Sequence, residues 1–261
     1  MLVHATFSIT ARCARSGAFG IAVATRVPAV GAGVPYLRAG LGAIATQART
    51  NPYLGIDGLE LLAEGGSAEE VLGALVAWDP AIEERQFTIV DARGTVAAHT
   101  GSETHAYAGH RLSEGVIVAG NLLTGPTVLE AMMAAYEAGV AAAAPRHGAT
   151  EHGATEHGAA ALALGELALG ALALTERLLC ALEAGQAAGG DRRGKQSAAV
   201  RVVGHEAYPF LDLRVDEHAD PIPELRRVYG VWREVMLPHL AARPTRASLQ
   251  AQGGSARPRR L

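Results

Sequence analysis

Lysine and asparagine are nearly missing from this chain of 261 residues: Lys195 is the single lysine, and Asn51 and Asn121 are the two asparagines. Cysteine is almost as scarce. Cys13 and Cys180 stand far apart without CxxC spacing, which argues against a disulfide framework and for two reduced, buried thiols. Aromatic residues reach only 5%. No run approaches the roughly 18 consecutive apolar residues of a membrane span. The opening MLVHATFSITARCAR lacks a charged segment followed by an apolar one, so no secretory signal is expected and the cytoplasm is. Charge of neither sign dominates, since 23 basic against 26 acidic residues leave a net charge of −3. That balance is not the basic footprint of a nucleic-acid binder. Nucleotide motifs are absent too. No GxGxxG follows a strand, and Gly120-Asn-Leu-Leu-Thr-Gly125 has neither the spacing nor the Gly-Lys-Ser/Thr ending of a phosphate loop. There is likewise no G-x-S-x-G elbow and no H-E-x-x-H helix.

What is abundant is small. Alanine (53) and glycine (31) make up 84 residues, about a third of the chain. The excess has no collagen-like period and comes with 22 arginines, the signature of GC-rich codons. Against such a background, the surviving lysine and asparagines mark places to look for function.

The first half alternates on a two-residue period. Thr6–Ala11 reads as a strand with Phe7 and Ile9 on one face, and Phe19–Thr25 reads as its antiparallel partner. A Gly- and Pro-rich loop over 27–40 precedes a short strand at Gly42–Gln47. The small residues of these strands suit close packing beneath helices. A short helix over 58–63 ends at Gly65-Gly66. Ser67-Ala-Glu-Glu70 is a capping box that opens a helix to about Trp78, stopped by Asp79-Pro80. Residues 86–91 and 95–99 form a hairpin, 115–119 another strand, and 126–138 a helix. Further on, 175–183 is helical, 198–203 and 210–215 are strands, and 223–237 is the last helix.

Two segments stand outside this pattern. Residues 139–174 read as a low-complexity insertion in which His147-Gly-Ala-Thr-Glu151 is repeated at 152–156 and begins again at His157. A five-residue step turns successive histidines about 140° around a helix, so they share no face and no metal site is expected. Residues 241–261 read as a disordered, arginine-rich tail. The body, residues 1–240, is then a single domain whose alternating strands and helices suit a layered α/β sandwich better than a doubly wound sheet.

Thr6 heads the first strand. A hydroxyl residue there is ordinarily just a β-former. Exposed as an N-terminus, however, its own α-amine could take the Oγ proton, making one residue both nucleophile and base. An α-amine titrates at about 7.7–8.0, near the pH where a general base works best.

Five segments occur in order: Thr6–Ile9, Gly20–Arg26, Ala45-Thr-Gln-Ala-Arg-Thr-Asn-Pro52, Gly120-Asn-Leu-Leu123 and Gly189-Gly-Asp-Arg-Arg-Gly-Lys-Gln-Ser-Ala198. Together they resemble the bacterial family known as domain of unknown function 1028, itself described as similar to N-terminal nucleophile (Ntn) hydrolases. The resemblance spans about residues 6–138 and 175–239. It implies an α+β fold, a four-layer αββα sandwich with two antiparallel sheets between helix layers. It also places Thr6 where such hydrolases expose their nucleophile, which requires either cleavage between Ala5 and Thr6 or a start of translation nearer to Thr6. Proteasome-type relatives carry an early lysine, whereas the single lysine here is at position 195.

The catalytic set implied is Thr6, Asn121 and Lys195, with Arg26, Gln47, Asn51, Asp191, Arg193, Gln196 and Ser197 binding substrate. Bland alternatives stand beside several of these. Arg26 either orients a substrate carboxylate or makes a surface ion pair. Asn51 before Pro52 can simply start a turn. Asn121 either donates to an oxyanion or closes an Asx turn. The loop over 189–197 is either a binding loop or a solvated connection.

The leading expectation is hydrolysis of an amide or related C–N bond in a small, anionic substrate, either non-peptide or a small peptide. No cofactor, metal, nucleic acid or membrane is expected, and the protein is expected to form a homo-oligomer such as a dimer. The alternative is a non-catalytic protein on the same scaffold that binds a small anion or a cell-wall fragment, with Thr6 left internal.

Overall fold

The computed structural model describes residues 6–143 and 165–252. Ten strands form two antiparallel sheets. The larger holds β1 (Thr6–Arg12), β2 (Phe19–Thr25), β7 (Gly109–Ser113), β8 (Val116–Asn121), β9 (Ser197–Val203) and β10 (Pro209–Val215), in the order β10-β9-β2-β1-β8-β7. The smaller runs β3 (Pro35–Arg38), β4 (Gly42–Ala48), β5 (Arg85–Asp91), β6 (Val96–Thr100) in sequence order. The alternation of β1 sorts its side chains cleanly. Phe7, Ile9 and Ala11 face the helices, while Thr10 reaches across to Thr88 of β5 at 2.8 Å. Thr6, Ser8 and Thr10 therefore lie in the layer between the sheets.

Helices cover both outer faces. On the larger sheet lie α4 (Thr127–Ala143), α5 (Gly165–Ala187) and α6 (Pro221–Met236). On α6, Ile222, Leu225, Tyr229 and Trp232 are buried at the three- and four-residue spacing of an amphipathic helix. On the smaller sheet lie α2 (Pro52–Ala63) and α3 (Ala68–Trp78), packed through Leu54, Leu59, Leu62, Val71 and Leu75 onto Ile44, Phe87 and Ile89. The two sheets meet through Phe19, Ile21, Val23, Ala43, Ala45, Val90 and Ile117. These four layers are the αββα arrangement that the resemblance implied. Small residues let the layers approach: a Cβ on Gly20 would stand 2.5 Å from Leu178 Cδ1 of α5.

The capping box at Ser67–Glu70 is present and opens α3, and Asp79 ends it. Elsewhere the elements exceed the sequence pattern. Helix α2 begins at Pro52, because Asn51 caps it and proline suits the first turn. The stretch expected as a loop over 27–40 contains the short helix α1 (Val30–Gly33) and β3. Strand β7, a mostly polar edge strand, has too little alternation to be read. Helix α5 starts at Gly165, inside the segment expected as an insertion, and its Ala171 and Leu174 are core residues. A further short helix, α7 (Arg246–Ala251), lies in the segment expected as a disordered tail, opened by a Thr245–Ser248 capping box. The histidine repeat at 147–157 and residues 253–261 lie outside the described residues. Among the described residues, no helix is long and apolar enough to cross a membrane.

Candidate active site

Thr6 is the first described residue of β1 and pairs with Thr25 of β2 on one side and Asn121 of β8 on the other. Thr25 in turn pairs with Ser197 of β9. One end of the larger sheet is thus a row of polar residues, all buried. Thr6 Oγ1 donates to Thr25 Oγ1 at 3.4 Å.

The smaller sheet answers this row with two glutamines. Gln86 Nε2 meets three oxygens at 2.9 Å: Thr100 Oγ1 and the carbonyls of Gly109 and Gly120. That crowd of acceptors fixes the amide's orientation, because only the nitrogen can face them. Gln86 Oε1 must then point to Gln47 Nε2 at 2.8 Å and Asn121 Nδ2 at 3.0 Å. Both neighbours are forced to donate to it, which leaves Gln47 Oε1 and Asn121 Oδ1 buried with no hydrogen-bond partner. An unmade buried acceptor costs on the order of 1–3 kcal/mol. One belongs to Asn121, the cross-strand partner of Thr6, and the other to Gln47, which reaches Asn121 through Gln86.

Backbone strain concentrates at the same end. Among the described residues, the non-glycine residues with positive φ are Ala29, Ala48 and Leu122. Ala48 directly follows Gln47 and Leu122 directly follows Asn121. Such left-handed residues persist only where their surroundings hold them. Ala29 precedes Val30, whose amide donates to Ser197 Oγ at 3.1 Å.

The loop over 189–197 sits beside this row. Asp191, buried, accepts from the Arg26 amide at 2.9 Å and from the Arg193 amide and guanidinium at 2.9–3.2 Å. It also bridges to Leu123, so the loop is tied to the strand end after Asn121. Arg26 Nη1 donates to Gln196 Oε1 at 2.6 Å, and Gln196 Nε2 donates to Glu217. Arg26 therefore makes neither a surface ion pair nor a buried one among the described residues; its guanidinium is exposed.

Four sequence expectations change in this setting. Asn121 turns its donor to Gln86, so it presents an acceptor rather than an oxyanion donor. Lys195 Nζ is paired with Asp220 Oδ1 at 2.7 Å, at the start of α6. Ser197 Oγ donates to the Val27 carbonyl and accepts from Val30, so its hydroxyl pins the chain after β2. Asn51 is occupied as the cap of α2 and donates to Asp79 at 2.8 Å. Burial would push the Asp79 carboxyl up, but hydrogen bonds from Arg85 and Asn51 outweigh it and hold the group below its ordinary range.

Sequence reasoning missed Gln86 and Thr25. It also missed His110, whose Nδ1 lies 2.9 Å from Thr100 Oγ1 and so extends the Gln86 network outward. Burial, with His99 nearby, lowers the pKa of His110. Among the described residues, no group of three or more His, Cys, Asp or Glu side chains could hold a metal ion.

A model of a family described only as being of unknown function, DUF1028, matches residues 6–225. The chain is also similar to the crystal structure of a protein from Silicibacter pomeroyi assigned to that family. The two share 28% sequence identity and a TM-score of 0.72, over 91% of this chain and 93% of the other. Comparison with the curated proteins finds no match.

Proposed function

The chain belongs to this DUF1028 family of unknown function, and we propose that within it the protein is an Ntn-type hydrolase of an amide or related C–N bond, with Thr6 as nucleophile once residues 1–5 are removed. The observation that carries this reading is the neighbourhood of Thr6: the head of a central strand, paired with Asn121, whose buried oxygen has no partner and which shares Gln86 with a second such oxygen, that of Gln47. Cleavage before Thr6 creates an α-amine at that strand end. Its N–H groups are the kind of donor that Asn121 Oδ1 and Gln47 Oε1 lack, and accepting from it would orient the amine beside its own hydroxyl.

In this scheme Thr6 Oγ attacks the carbonyl carbon while its proton passes to the α-amine. The C–N bond breaks as the leaving nitrogen takes that proton, and an acyl ester remains on Thr6. Water, deprotonated by the same amine, then hydrolyses the ester. With the Asn121 amide committed to Gln86, main-chain N–H groups at the strand ends are assigned to the oxyanion. The exposed Arg26 guanidinium favours an anionic substrate. Lys195 is left out of this mechanism, since Asp220 already neutralises it.

One observation favours the second reading, a non-catalytic binding protein: Thr6 is wholly buried as described. A panel of small amides separates the two. A chain produced to begin at Thr6 is expected to turn over at least one of them, and Thr6→Ala to lose on the order of 10³-fold or more of that rate. Equal turnover by Thr6→Ala would overturn the nucleophile assignment.

A further inference from the structure

The other end of β1 carries a second feature, independent of Thr6. Strand β1 spans seven residues, so Arg12 stands about 20 Å from Thr6. Here a cavity of about 430 Å³ opens where four pieces of the fold converge. They are the end of β1, the β5–β6 turn at Arg93-Gly94, the β7–β8 turn at 113–115, and the facing surfaces of α4 and α5. Its volume falls within the range of small-molecule sites.

Three guanidiniums line it, from Arg12, Arg93 and Arg177. Like Arg26, they differ from the arginines that sit in ion pairs. Arg38, Arg85, Arg111, Arg214 and Arg226 each hold a carboxylate. Arg12, Arg93 and Arg177 hold none among the described residues. In addition, the Nε–H groups of Arg12 and Arg177 are buried without a hydrogen-bond partner. A buried donor on a cation is expensive to leave unmade.

Packing fixes the position of Arg177. Arg177 lies over the Tyr136 ring, 5.2 Å from its centroid. Its aliphatic stem occupies the space that a side chain on Gly139 would need: a Cβ there would stand 2.8 Å from Arg177 Cγ. Glu114 and Glu137 also line the cavity, and both are exposed. Three cations against two carboxylates leave the lining with an excess of positive charge, which suits a compact anion.

We propose that this cavity binds a small dianion, a phosphoryl or dicarboxylate group, through the guanidiniums of Arg12, Arg93 and Arg177. Planar guanidinium forks match both groups in geometry. The site needs no processing at Thr6, so its occupancy and the hydrolase reading stand or fall separately.

Titration calorimetry of the full chain with inorganic phosphate and, separately, with succinate tests this. At least one probe is expected to bind, and the one that binds identifies the group. Arg93→Gln, an exposed position that leaves the fold intact, is expected to weaken binding about tenfold, the equivalent of about 1.4 kcal/mol. Arg12→Gln combined with Arg177→Gln is expected to abolish it, with circular dichroism confirming the fold. Thr6→Ala is expected to bind as the unaltered chain does. Failure of both probes to bind, or unchanged affinity in Arg93→Gln, would overturn the proposal.

Discussion

The two ends of β1 belong to one strand and one layered fold, yet they are built from opposite materials. At the Thr6 end the layer between the sheets is filled with neutral amides and hydroxyls, and the groups left over include the oxygens of Gln47 and Asn121. At the Arg12 end the strand runs out into a cavity edged by cations, and the unmade groups are donors. One end is short of hydrogen, the other of lone pairs. These orphaned atoms follow from fixed networks. At the Thr6 end Gln86 dictates which atom of each neighbour is left over, and at the Arg12 end Tyr136 and Gly139 dictate where Arg177 lies.

Breaking the hub should have the largest effect. Gln86→Leu strips partners from Thr100, the Gly109 and Gly120 carbonyls and both amide donors. Denaturant unfolding is expected to show a loss of about 3–5 kcal/mol. A loss below about 1 kcal/mol would mean that the amides are not interlocked as described.

A smaller effect sets the two ends apart by pH. Burial lowers the pKa of His110 below its usual 6.5. The folded state therefore resists protonation more than the unfolded chain does. The stability associated with neutral His110 is present above pH about 6.5 and is lost as pH falls through the depressed folded value. Unfolding midpoints measured from pH 8 to pH 5 are expected to fall in the unaltered chain and to fall less in His110→Gln. An identical slope in the two proteins would place the titration elsewhere.

The smallest expected effect concerns Ser8, whose hydroxyl is buried without a partner between the two ends. Ser8→Ala removes that polar atom and should leave stability unchanged or raise it by up to about 1 kcal/mol. Destabilisation by more than that would show that Ser8 Oγ is engaged.

Much of the scaffold was legible in the sequence where order is local. The alternation of Thr6–Ala11 and Phe19–Thr25, the Ser67–Glu70 capping box and the hairpin around Ala92–Gly94 all sit in contiguous stretches, and the structure contains each of them. Strand β7 was not legible because it is a mostly polar edge, and the start of α5 was hidden by a run of Ala, Leu and Gly with no clear apolar face. The site was legible only as a roster of rare residues. Scarcity drew notice to Asn121, but its orientation depends on Gln86, 35 positions away in the other sheet. Scarcity drew notice to Lys195 as well, and there the partner is Asp220, 25 positions on. Gln86 itself lies in an ordinary alternating strand, and nothing local separates it from a surface glutamine. Its role arises only when four strands from two sheets converge on it.

The central claim is that Thr6 becomes an N-terminus whose amine fills the place beside Asn121 and Gln47. Intact mass of the purified chain tests it directly. The expected result is loss of residues 1–5 from the unaltered protein and their retention in Thr6→Ala. An unaltered chain that keeps residues 1–5 and still hydrolyses an amide would contradict it.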